Sequence, residues 1–227
     1  MVFAPHPDDE LLSAGGTILK YTSLGCKVTV VVATQGLGGF AKLEYQSDIK
    51  EKRRYEFERT TELLHSDFIE LNLEEVDVNR TTVRTLTQFI REKRPQVILM
   101  PHYTDVHRSH RNLAIALREA IYHTTTGNAY GGYGKSFIPF AVYCYESPSC
   151  KFQYVEGSVF VTVDISQHWE EKKHIFNEIY SSQKEVIGHV VDWAEKTALL
   201  RGNDVQGNYG EAFIPLTEYV PLKILLI

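Results

Sequence analysis

The chain predicts an α/β fold: a mostly parallel sheet with helices on both faces, built as one domain over residues 1–227. Three observations carry this. Short β-branched runs alternate with longer amphipathic segments. The most apolar run, Lys27 to Ala33 (KVTVVVA), lacks the polar alternation of a strand with one wet face, as expected for a central strand buried on both sides. No internal repeat and no linker rich in Pro or Ser divides the chain.

Val2-Phe3-Ala4 is a short first strand, and Leu11, Leu12, Ile18 and Leu19 give the segment from Glu10 to Ser23 the apolar stripe of a helix. Lys27 to Ala33 is the second strand. Phe68 to Leu71, Val97 to Met100, Phe140 to Cys144 and Ser158 to Val163 follow as strands. The helices between them run from Asp48 to His65, Thr81 to Lys93 and Arg111 to His123, each bracketed by Gly, Ser, Asn, Asp or Pro. After Asp164 the pattern turns helical, over Gln167 to Ser181 and Lys184 to Leu200. The stretch from Gly127 to Gly134 (GNAYGGYG) reads as a loop of the kind that borders sites.

Apolar residues make up 43% and charged residues 23%, with a formal net charge of −5 and dispersed Lys and Arg. Disorder and electrostatic capture of nucleic acid are therefore not expected. No apolar run reaches the ~20 residues that cross a bilayer, and the start lacks the pattern of a secretory signal, so the expectation is a cytoplasmic protein with no membrane partner. The three cysteines, Cys26, Cys144 and Cys150, are odd in number and show no CxxC spacing. Neither a disulfide framework nor a thiolate zinc site is implied.

Ligands of parallel α/β sheets sit beyond the carboxyl ends of strands. PHPDDE (residues 5–10) occupies such a place after the first strand. Its acids suit a helix start, where they cap N–H groups and complement the macrodipole, but His6 three residues before Asp9 can converge with it on one metal ion. A second polar cluster follows the predicted strand VILMP, with His107 and His110 spaced as HxxH ahead of a helix. The bland reading has Ser109 capping that helix and both histidines solvated. Together the clusters offer two imidazoles and a carboxylate, with a fourth position left for water, the ligand count of a catalytic zinc site. A further carboxylate beside it could accept the water's proton.

PHPDDE, the following SAGGT and the later D-x-H-x-x-H resemble the LmbE/PIG-L-like family of zinc-dependent N-acetylglucosamine deacetylases. Weaker similarities are Arg53-Arg54-Tyr55-Glu56, Asp164-Ile165-Ser166, the run from Lys173 through Tyr180 to Ser182-Gln183, and Tyr209-Gly210-Glu211-Ala212-Phe213. The resemblance implies a Rossmann-like sheet, a small amino-sugar conjugate as substrate, and a homo-oligomer as a common assembly. It implies that His6, Asp9 and His110 bind Zn²⁺, with Fe²⁺ or Co²⁺ also suited to mixed N/O ligands. Asp8 would be the general base, a protonated His107 would stabilise the oxyanion, and Arg53 would face the substrate.

One departure stands out. The family usually shows HPDH, whereas this sequence reads HRSH, with Arg108 and Ser109 in place of proline and aspartate. A nearby carboxylate favours imidazolium, so the expectation is that Asp105, two residues before His107, supplies it and orients His107. Two other readings compete. Gly36-Leu37-Gly38-Gly39 follows a strand, but its spacing is not GxGxxG and no helix follows at once, so a dinucleotide site is not expected. A non-catalytic or reassigned metal- or sugar-binding member of the same fold is the second, because fold alone does not fix function.

Overall fold

β1 (Val2–Ala4) is buried throughout and lies near the middle of a seven-stranded sheet. The structure, a computed structural model, describes residues 1–37, 48–126, 134–155, 159–180 and 184–217. Most of the expected glycine-rich loop, and Gly38, Gly39, Ser182 and Gln183, lie outside them. After β1 come α1 (Asp9–Ser23), β2 (Thr29–Thr34), α2 (Ile49–Leu63), β3 (Asp67–Leu73), α3 (Arg80–Lys93), β4 (Val97–Met100) and α4 (Arg108–Thr125). The chain continues through β5 (Ala141–Tyr145), a short 3-10 turn (Phe152–Tyr154), β6 (Val161–Asp164), α5 (Trp169–Ile179), α6 (Lys184–Asp204) and β7 (Gly210–Pro215).

The strand order is β3-β2-β1-β4-β5-β7-β6. The chain works outward from β1 to β3, then crosses back to β4 on β1's other side, so the winding reverses between β1 and β4. That reversal opens a crevice at the carboxyl ends of the two strands, the place where such sheets bind ligands. PHPDDE leaves β1 and the HxxH loop leaves β4, so the two polar clusters face each other across it.

Alternate residues along the strands supply two cores. Phe3, Val31, Ile98 and Met100 pack with Leu86 and Ile90 of α3 and Leu113 and Leu117 of α4. Val2, Val30 and Val32 pack on the other face with Leu11 and Ile18 of α1, Phe57 of α2 and Phe176 of α5. β2 is half-buried at its first residue and buried in the five that follow, as its unbroken apolar run predicts.

β7 was not expected from the sequence. It runs antiparallel to both β5 and β6, and fills the gap between them. Its residues, GEAFIP, include Gly, Glu, Ala and Pro, types depleted in strands, so no local pattern announces it. Its neighbours place it instead. Other boundaries moved by a few residues. α4 begins at Arg108 rather than Arg111 because His107 already stands at its N-cap, and Ser109 is therefore inside the helix instead of capping it.

α1 is held against the last part of the chain. A Cβ on Gly16 would meet Ile165 Cδ1 at 2.6 Å, so only glycine allows this approach. The Gly16 and Thr17 amides donate to the Glu211 carboxylate of β7 at 2.9 and 2.8 Å. Lys172 of α5 closes the same cluster, its Nζ 2.7 Å from Glu211 and 2.9 Å from the Leu12 carbonyl.

Candidate metal and catalytic site

The turn from β1 into α1 brings His6 back onto Asp9. Asp9 Oδ2 accepts from the His6 backbone amide at 2.9 Å and lies 3.1 Å from His6 Nδ1. Its other oxygen lies 3.3 Å from His110 Nε2 in the first turn of α4. One buried carboxylate thus joins the imidazoles from both sides of the crevice. On its far side the His110 ring is held by Asp105, with Nδ1 3.1 Å from Asp105 Oδ2. A carboxylate on the second ring nitrogen fixes the tautomer and aims the first at a metal.

Asp105 is fully buried. It also accepts from the His107 backbone amide at 2.8 Å and from the Ser147 hydroxyl at 2.7 Å. This corrects the expected partnership: Asp105 meets His107 only through its amide, and its side-chain partner is the His110 ring. His107 itself is exposed, with its ring 5.1 Å from that of His6 and 4.6 Å from that of His110, centre to centre. Partial burial, then the charges of His110 and His6, hold its ring below the usual imidazole range. The surroundings thus favour a neutral ring, not the protonated one implied by the family pattern.

Asp8 occupies the N-cap position of α1, yet its side chain makes no capping bond. Its carboxylate points instead to Arg53 of α2, whose Nη1 and Nη2 each donate to Oδ2 at 3.2 Å. Arg53 is 3% exposed, so it is buried behind Asp8 rather than open to a ligand. Gly36 (φ +64) covers it: a Cβ there would come within 2.8 Å of Arg53 Nη2. Burial raises the Asp8 carboxyl, Arg53 lowers it and Asp9 raises it again, leaving it at about 6. The neighbouring Glu10 is wholly buried, and burial followed by the charge on Asp8 pushes it up to about 8.

Burial alone would raise Asp9 as well, but the His110 and His6 rings outweigh it and hold that carboxylate far below its ordinary range. Burial disfavours charge on His110, and Asp9 and Asp105 reverse this to raise it. The pair thus favours positive charge at the point where the rings converge. Ligand nitrogens of His6, His107 and His110 all lie within 4.8 Å of one another. Two imidazoles and a carboxylate, with a third imidazole beside them, suit a divalent ion of the zinc type.

Every site residue singled out from the sequence lies at this crevice. Sequence reasoning missed Ser147, and it named Tyr180 only within a family-like run without a role; the Tyr180 hydroxyl donates to Glu10 Oε1 at 3.1 Å. Near Ser147, Glu146 is buried, and takes a double ion pair from Arg201 at 2.8 Å and the Phe152 amide at 2.8 Å. A cavity of about 1170 Å³ opens at the amino ends of the strands beside Tyr21, Asp67 and Val97. None of the titratable cluster lines it, and the chemistry lies at the sheet's other end.

A carboxylate-linked histidine cluster at the switch point of a Rossmann-like sheet makes this an α/β protein with a site able to hold a metal ion. Residues 1–121 match the PIG-L family, described as GlcNAc-PI de-N-acetylase, and the chain belongs to that family. It is 34% identical over 101 residues to diacetylchitobiose deacetylase of Thermococcus kodakarensis, an alignment that spans 43% of this chain but 38% of that protein. Among solved structures it is similar to N,N'-diacetylchitobiose deacetylase from Pyrococcus horikoshii, with a TM-score of 0.83, 21% identity and coverage of 98% of this chain and 86% of that one. It is also similar to the 4-carboxy-2-hydroxymuconate hydratase GalB from Pseudomonas putida KT2440, with a TM-score of 0.81, 20% identity and coverage of 98% of each. No helix among the described residues is long and apolar enough to cross a membrane.

Proposed function

We propose that residues 1–227 form one metal-dependent amide hydrolase domain that removes the acetyl group from an N-acetylated amino-sugar conjugate, releasing acetate and a free amine. The observation that carries this is Asp8: a buried carboxylate beside the metal-binding cluster that is neither a helix cap nor tied to the histidines. Metal binding alone has no use for it. Hydrolysis does.

In this reading His6, Asp9 and His110 hold Zn²⁺, with Fe²⁺ or Co²⁺ as substitutes. The ion would supply Lewis acidity toward the amide carbonyl and make a water more acidic. Asp8 takes the proton of the attacking water and returns it to the departing amine. A carboxyl at about 6 is matched to that exchange near neutral pH. Arg53 keeps Asp8 ionised and aimed from behind, and does not grip the sugar. His107 donates a ring N–H to the oxygen that gains charge, a role a neutral imidazole can fill.

The test couples metal analysis to acetate release from N,N'-diacetylchitobiose and GlcNAc-phosphatidylinositol, the substrates named for the relatives. His110→Ala is expected to lose metal. Asp8→Ala is expected to keep it and lose turnover by about 10²–10⁴-fold. Full turnover in a metal-loaded Asp8→Ala protein would refute the assignment.

A reassigned member of the fold is the second reading. HRSH in place of HPDH, and a hydratase that shares the fold at 20% identity, favour it. It predicts bound metal without acetate from either substrate.

A further inference from the structure

Five described residues other than glycine have positive φ. His65, Asn72, Arg94 and Gln206 lie between 50° and 57°, in the small left-handed well that L-residues can enter. Asp8 lies at φ 125°, ψ −31°, outside that well. A residue in so sparsely populated a region persists only where its surroundings hold it, and such residues gather at functional sites.

Two contacts fix the Asp8 backbone. Its amide donates to Glu10 Oε2 at 3.1 Å, a link across only two residues that curls the chain just before the helix. Glu10 is in turn held by the Tyr180 hydroxyl on its other oxygen. Glu10 and Tyr180 are both fully buried, so neither bond competes with water. The Asp8 carbonyl meanwhile accepts the first bond of α1, from the Leu12 amide at 2.9 Å.

An aspartate entering a helix in the ordinary extended conformation would turn its carboxylate onto the helix N–H groups. The φ of 125° swings it away, toward Arg53. We infer that Glu10 and Tyr180 are positioning residues that hold the Asp8 backbone in this strained conformation and thereby keep its carboxylate from becoming a helix cap. The catalytic meaning of this rests on the reading of Asp8 as the base. The backbone restraint stands apart from that reading.

The test is a melting-temperature cycle on metal-stripped protein. Asp8→Gly and Asp8→Ala both remove the carboxylate, so their difference reports the backbone. Glycine accepts the positive φ and alanine does not, so Asp8→Gly is expected to melt ~3 °C above Asp8→Ala. Adding Tyr180→Phe to both is expected to shrink that gap to half or less, because the backbone is freed to relax. Glu10→Gln, which removes one of the two acceptors, supports the same cycle if Tyr180→Phe does not fold. A gap that is absent, or unchanged in both backgrounds, overturns the inference.

Kinetics separate it from the proposed function. Tyr180→Phe alone is expected to lower kcat for acetate release about 10-fold with KM and metal content unchanged. An unchanged kcat would overturn the catalytic consequence of the restraint. Retained turnover in Asp8→Ala would remove the base assignment while leaving the melting cycle as it stands.

Discussion

The Asp105 carboxylate accepts from the His107 amide on one oxygen, meets the His110 ring and the Ser147 hydroxyl on the other, and also takes a hydrogen bond from Ser149. Ser147 is therefore part of what aims His110, although it lies beyond β5. Ser147→Ala leaves Asp105 on His110 but removes a charge-assisted bond from behind it. Zinc affinity, measured by competition with a chromophoric chelator, is expected to fall about 10-fold with the fold intact. Unchanged affinity would mean that Ser147 only fills space. The ring and carboxylate cluster was legible in the sequence because His6, Asp8 and Asp9 lie within four positions and His107 and His110 within another four. Its supports were not. Tyr180 meets Glu10 across 170 residues, and Ser147 meets Asp105 across 42, separations that leave no local spacing to read.

Along single elements the same contrast holds. The inner parallel strands were legible because burial on both faces forces unbroken apolar runs, as in Thr29–Thr34. β7 was hidden because its place depends on two neighbours rather than on its own composition. α1 was legible as a helix, but not why it carries adjacent glycines. Gly16 answers this: its missing side chain lets Ile165 approach, and a Cβ there would lie within 2.9 Å of three Ile165 carbons. Gly16→Ala gains about 1 kcal/mol of intrinsic helix propensity but overpacks this contact by typically 1–3 kcal/mol. A net loss of stability is expected in urea unfolding. A more stable Gly16→Ala protein would show that Ile165 moves aside at little cost.

Across the whole molecule, the site and its nearest supports lie in one part of the chain, and further braces reach it from another. His6, Asp8, Asp9, Glu10, Arg53, Asp105, His107 and His110 all fall within the family match, residues 1–121. Ser147, Lys172, Tyr180 and Glu211 brace it from beyond that match. Glu211 and Lys172 form a buried pair at 2.7 Å, with side chains 5% and 6% exposed. Glu211→Gln leaves the Lys172 charge buried without its partner. A loss of about 3 kcal/mol in unfolding free energy is expected, and Glu211→Gln with Lys172→Met should recover part of it. If the single substitution costs nothing measurable, the ammonium has found water and α1 is not pinned there.

β7 sets the order in which a growing chain can complete this architecture. It must enter between β5 and β6, and among the described strands β6 pairs with it alone. A ribosome therefore releases every proposed metal ligand well before the strand that joins β6 to the sheet and carries Glu211 to the amides of α1. Until then the ligands belong to a chain whose sheet is unfinished. Nascent chains halted before residue 210 should consequently capture metal poorly despite holding all its ligands, and competence should arise as a late step of synthesis.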